Sequence, residues 1–184
     1  MIKTGKNIAK ARKSFLFLAL AMLVFVPLKS QNWIGNGSSG TQIFGATTFA
    51  GIGGGYFAVP GGAAAGSGTI TLTAGALAPC DAIIIMDMNT GVWERSVVKV
   101  NGGTNITVPG LVNNYTAGNT QVILVPQFID FTLNGNLTTT AWDGTTGGVI
   151  WFYCSGTCTI NATIDADLLG FTGAATGGLG GLGG

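Results

Sequence analysis

Histidine is absent from this 184-residue chain, and charged residues make up only 8% of it. The missing imidazole removes the usual general base, the Ser-His and Cys-His nucleophile pairs and the commonest metal ligand. Three cysteines without a histidine also fall short of a four-ligand zinc set. Basic residues are scarce outside the front end: Lys3, Lys6, Lys10, Arg12, Lys13 and Lys29 crowd the start, and only Arg95 and Lys99 follow. With the start removed, those two face seven carboxylates, a formal balance of −5. Phosphate binding needs a basic footprint, so the composition excludes nucleic acid as a partner and disfavours an anionic membrane surface.

What is present begins with a secretory signature. Basic residues precede an apolar run at 15–28 (FLFLALAMLVFVPL), which ends in polar Lys29-Ser30-Gln31-Asn32. A spanning helix needs about 20 apolar residues, whereas this run is shorter and holds Pro27. Residues 1–30 therefore read as a signal peptide cleaved near Ser30, with no stable membrane insertion after its removal. No cysteine follows closely enough for a lipid anchor. The remainder is long enough for one or two small domains. Its surface must rest on Thr, Asn, Ser and Gly in place of Lys and Glu, a composition suited to an exported, secreted or surface-displayed chain.

Apolar residues in this remainder recur at period two, and turn residues interrupt every run, which predicts an all-β fold without amphipathic helices. Residues 69–73 (TITLT) alternate, and so do residues 157–165 (TCTINATID), where Cys158, Ile160, Ala162 and Ile164 fall on one face. Runs at 82–86 (AIIIM), 121–125 (QVILV) and 149–153 (VIWFY) are apolar on both faces and are expected as central strands. Asn-Thr-Gly at 89–91, Asn-Gly-Gly at 101–103 and Asn-Gly-Asn at 134–136 are turn signals, since Asn and Gly tolerate positive φ. The first two bracket a strand at 92–100, giving a meander over 82–108.

Five segments follow from these signals: the signal peptide at 1–30; a Gly/Ser/Ala-rich stretch at 31–68; a β-meander or small barrel at 69–125; a β-strand module at 126–171, sandwich or solenoid-like; and a glycine-rich tail at 172–184. Pro126 marks the boundary between the two β modules. Gly170-Phe171 offers one bulky anchor on the β core before side chains vanish. Glycine runs bury nothing and lose the most backbone entropy on ordering, so the tail is either a flexible linker or a tract that orders beside other glycine chains as polyproline II-like helices.

The order of elements in DAIIIMDMNTGVWERSVVKVNGGTNITV (81–108), NNYTAGNTQVILVPQF (113–128) and TLNGNLTTTAWDGTTGGVIWFYCSGTCTINATIDADLLGFTGAATGG (132–178) resembles a module of large glycine-rich bacterial surface proteins. Related architectures occur in adhesins at phage fibre tips. The resemblance implies a non-catalytic, adhesin-like module that supports a glycine tract. The sequence departs from that pattern in having Cys80 where a glycine commonly precedes Asp81, and in carrying Cys154 and Cys158.

Candidate site residues are few. Cys154 and Cys158 flank Ser-Gly-Thr, and export permits a disulfide between them, with Cys80 left over. Three buried thiols are the other reading. Asp165-x-Asp167, Asp81, Asp87 and Glu94 are the only candidates for a calcium site or a glycosidase pair, against the commoner use of such residues as turn caps. Trp93 and Trp142 sit beside turns and are candidates for ligand contact, while Trp151 lies in a run expected as core. No cofactor is implied. The partners that fit are extracellular glycans, in the case of a carbohydrate-binding module, or neighbouring glycine-rich chains.

Overall fold

The computed structural model describes residues 36–75 and 77–171, and the expected leader and glycine tail lie outside them. Fourteen strands and one 3-10 turn account for the regular structure there: β1 Gly40–Phe44, β2 Thr47–Thr48, the turn Ala50–Ile52, β3 Gly55–Ala58, β4 Thr69–Thr71, β5 Ala82–Asp87, β6 Trp93–Val97, β7 Val100–Gly102, β8 Asn105–Thr107, β9 Thr120–Leu124, β10 Gln127–Leu133, β11 Leu137–Thr138, β12 Tyr153–Cys154, β13 Cys158–Ile160 and β14 Ile164–Asp165. The all-β expectation holds, and no sheet closes into a barrel.

Two sheet systems divide these strands. In the first, every pairing is parallel: β1, β10 and β12–β13 form one sheet, and β2, β11 and β14 form a second. The register is that of a solenoid of three stacked coils. Phe44 pairs with Leu133 and Leu133 with Ile160; across the corner, Thr47 pairs with Leu137 and Leu137 with Ile164. From the second coil to the third the spacing is 27 residues, and it persists through the corner, where the Asn161 amide donates to Asn134 Oδ1 at 2.8 Å. Gly135 turns that corner because a Cβ there would run into the backbone of Ala46 in the coil above. The turn signal at 134–136 is thus real, but it joins two parallel sheets and not a hairpin.

Inward-pointing aromatics hold the coils together. Phe44, Phe128, Phe131 and Phe152 pack ring on ring, with centroids from 4.6 Å for Phe131–Phe152 to 6.1 Å for Phe128–Phe152. Full burial of a ring contributes about 1.5–3 kcal/mol, a condition that Phe128 and Phe131 meet, so each of these two rings outweighs any single ladder hydrogen bond, which adds about 1 kcal/mol.

Between the first and second coils the chain makes an antiparallel excursion over residues 50–125. Sheet β3-β9-β5-β6 faces sheet β4-β8-β7 across a core that includes Ile70, Leu72, Ile83, Ile85, Val98, Ile106 and Val122. The alternate residues Ile84 and Ile123 point the other way, into the solenoid's cluster with Phe49, Phe128 and Phe131. Strands β5 and β9 are therefore buried on both faces, as their unbroken apolar runs require. The stretch 31–68 is shared between the systems: β1 and β2 belong to the solenoid and β3 to the excursion. Pro126 is where the chain returns to the solenoid.

Three expectations are corrected. Residues 149–152 form no strand; they run extended and half-buried along the solenoid cluster, and only Tyr153–Cys154 enters a ladder. The run 92–100 is broken at Val98-Lys99, where consecutive amides bond to different sheets, Val98 to the Asp81 carbonyl and Lys99 to that of Thr107. Finally, the alternating strand at 157–165 bends at 161–163, and its apolar face is not fully covered, as Ile160 and Ile164 remain 41% and 42% exposed. Cys80 adopts φ 75°, a left-handed conformation that suits glycine better than a residue with a Cβ.

Buried Asp87, at the end of β5, organises the loops around it. Its carboxylate accepts the Asn89 and Thr90 amides at 2.9 and 3.1 Å, and the Thr116 amide and hydroxyl at 2.8 and 2.6 Å. Burial alone would raise its pKa, but the Thr116, Thr90 and Asn89 bonds outweigh it and leave the carboxyl below its ordinary value. A depressed folded-state pKa stabilises the fold above the unfolded value, near 4, and that stabilisation is lost as pH falls through the folded value. Asp87→Asn should lower stability by about 2–3 kcal/mol at neutral pH. In urea melts across pH, the gap to wild type should narrow on acidification below about pH 4; a gap of constant size would contradict this role.

Candidate functional site

The two aromatic candidates do not come together: Trp93 meets Trp151, and Trp142 meets Phe171. Trp93 opens β6, pairs across the ladder with Met86, and is 44% exposed. Its ring lies 5.1 Å from that of Trp151, at 57°, and Trp151 is half-buried against the solenoid cluster. Sequence reasoning placed Trp151 in the core and missed this pairing. No local pattern carries it, because the two indoles come from different sheet systems and are 58 residues apart in the chain. Trp142, also half-buried, lies elsewhere: its amide donates to the Leu169 carbonyl at 2.8 Å, and its ring meets Phe171 edge-on at 5.7 Å. Phe171, expected as an anchor on the β core, packs on Trp142 and stays 39% exposed.

A polar clamp fixes the floor of this seam. Buried Gln121 on β9 donates from Nε2 to the Gly147 carbonyl at 3.0 Å and accepts the Gly147 amide at 2.9 Å. Gly147 has φ 102° and no room for a Cβ beside the Ala141 carbonyl, so the loop that carries it has one way to meet Gln121. Beside it, the Tyr56 hydroxyl donates to the Val149 carbonyl and shares a hydrogen bond with the Thr139 hydroxyl. Burial pushes the Tyr56 phenol above its usual range, against the pull of Thr139 and Val149. It is a neutral strut at any physiological pH.

The carboxylates are engaged with the backbone. Asp81 accepts the Ala78 amide, Glu94 those of Val112 and Asn113, Asp130 that of Thr157, Asp143 those of Thr145 and Thr146, and Asp165 that of Asp167. The Thr146 amide and the Thr145 hydroxyl and amide pull the Asp143 carboxyl down to about 2. Asp165 and Asp167 meet as a turn cap. No group of three or more metal-binding side chains occurs among the described residues.

Cys80, Cys154 and Cys158 stand without a disulfide in the structure. Cys154 donates to the Ile129 and Thr157 carbonyls, each at 3.3 Å. Cys154 and Cys158 flank the Ser-Gly-Thr turn, and burial, followed by the neighbouring Cys154, raises the Cys158 pKa. Cys80 is exposed and apart from them.

No helix among the described residues is long and apolar enough to cross a membrane. No protein-family model and no curated protein matches the chain. Among solved structures it is similar to the tailspike gp61 of Pseudomonas phage phi297, at 11% identity and a TM-score of 0.37, over 60% of this chain and 20% of that one. It is also similar to the tailspike gp49 of Pseudomonas phage LKA1, at 18% identity and a TM-score of 0.32, over 48% and 22%. A third similar structure is the Gp54 tailspike of Acinetobacter baumannii bacteriophage AP22, in complex with A. baumannii capsular saccharide, at 13% identity and a TM-score of 0.38, over 67% and 23%. The matches thus span between a fifth and a quarter of the length of those tailspikes.

Proposed function

We propose that this chain is an exported, non-catalytic scaffold module of an adhesin-like, glycine-rich surface protein, in which a short solenoid presents an antiparallel β excursion. The observation that carries the non-catalytic reading is the engagement of six carboxylates with backbone amides, in a chain that has no histidine to replace them as acid or base. A scaffold needs carboxylates as caps; a hydrolase needs two of them free and facing a cleft. The basic-then-apolar start supports export. Expressed with its leader in a bacterial host, the chain should be recovered outside the cytoplasm, and mass spectrometry should find it shortened by about 30 residues. Retention in the cytoplasm at full length would overturn the reading.

The exposed Trp93 ring on its Trp151 support favours a second reading, carbohydrate contact. An indole held by a neighbouring ring presents a rigid apolar face, which suits the CH-lined face of a sugar ring. On this reading Trp93→Ala should abolish binding on a glycan array while the circular dichroism of the fold is kept, because Trp93 is 44% exposed. Trp142→Ala, away from that pair, should leave binding intact. Equal binding by wild type and Trp93→Ala would remove Trp93 from the contact.

A further inference from the structure

Among the described residues, the last coil of the solenoid leaves inward-facing residues exposed. In coil two, Phe131, Leu133 and Leu137 are fully buried. Their in-register partners in coil three are Cys158, Ile160 and Ile164. Parallel in-register residues point to the same side of the sheet, so these three also point inward, yet Cys158 is exposed and the two isoleucines are two-fifths exposed. Among the described residues nothing is stacked beneath them.

The same condition holds at the opposite end. Strands β1 and β2 are the outer strands of their sheets, as β13 and β14 are at the other end, and none of these has a partner on its outer edge among the described residues. Phe44 and Thr47, the inward residues of coil one, are only half-buried. Edge strands of folded proteins are ordinarily blocked by lysine, proline or a covering element. Neither residues 40–48 (GTQIFGATT) nor residues 158–165 (CTINATID) contain lysine, arginine or proline, and Asp165 is their single charge.

The two ends are complementary to each other. Coil one of a second copy covers the faces over Ile160 and Ile164 without deformation. It already stacks on β10 in the register that β10 uses for β13, and placed below coil three it sets Phe44 on Ile160 and Thr47 on Ile164.

We infer that copies of this chain associate head to tail, with β1 and β2 of one copy continuing the parallel sheets of the next copy's β13 and β14. Such a contact is heterologous and does not close on itself, so it builds linear assemblies and not only dimers.

Sedimentation velocity over a concentration series tests this. Wild type should form a ladder of species that grows with concentration. Ile160→Lys/Ile164→Lys, which puts charge on already exposed positions, should keep the wild-type circular dichroism and remain monomeric. Gln42→Lys, at the exposed head position in register with Cys158, should do the same. Mixed together, the two variants should form a 1:1 dimer and nothing larger, because one keeps a free head and the other a free tail. Three results would overturn the inference: a monomeric wild type at every concentration, association that survives both variants, or no dimer on mixing. A monomer with β13 and β14 amides protected from hydrogen exchange would overturn it too, by showing that residues 172–184 cover the end of their own chain.

Discussion

The structure depends on the stacking of coil two between coils one and three. Among the described residues, β10 is the only strand bonded to neighbours on both sides in its sheet, and it carries Phe128, Phe131 and Leu133, all fully buried. Coil one lies far from coil two in sequence, since Phe44 and Leu133 meet across the whole excursion. Closing so long a loop has an entropic cost that rises only slowly with length, and the aromatic stack of Phe44, Phe128, Phe131 and Phe152 offsets it. The excursion then folds as its own two-layer unit, with its chain entry at the 3-10 turn and its exit at Pro126 both set by the solenoid.

The excursion's middle sheet is what makes the two systems one body. Ile83, Ile85 and Val122 face the outer sheet, whereas Ile84 and Ile123 face the solenoid. The Gln121–Gly147 clamp and the Tyr56 hydroxyl add fixed polar contacts along that seam. A buried amide left without its partner is costly, so these bonds define one docking geometry even though their net contribution is modest. The Trp93–Trp151 pair lies on the same seam, and its geometry inherits that rigidity.

Local patterns made the β class legible. The strands at 82–87 and 120–124 were readable as central because they are apolar on both faces, and Asn-Gly-Gly at 101–103 marked a true hairpin, closed with φ 81° at Gly103. The solenoid was only partly legible. Its repeat is visible in hindsight as Phe131-Thr-Leu-Asn against Cys158-Thr-Ile-Asn, but coil one is separated from these by the excursion, and two similar segments are too few to declare a period. The alternation at 157–165 correctly identified an inward face. It could not say that the face lies at an open end, because burial there depends on the next layer and not on the strand itself. The Trp93–Trp151 pair was out of reach for a related reason, being made by the packing of two sheet systems.

The central claim, that residues 40–48 form the first coil on top of residues 127–138, is tested most directly by a distance. Ile43 and Thr159 occupy the same register position in coils one and three, with Thr132 between them. With Cys80, Cys154 and Cys158 replaced by serine, nitroxide labels at positions 43 and 159 should show strong dipolar broadening at a separation of about 10 Å, two strand spacings, plus the reach of the labels. A broad distribution centred beyond about 25 Å, several times that strand spacing, would mean that coil one does not stack there, and the solenoid would have to be abandoned.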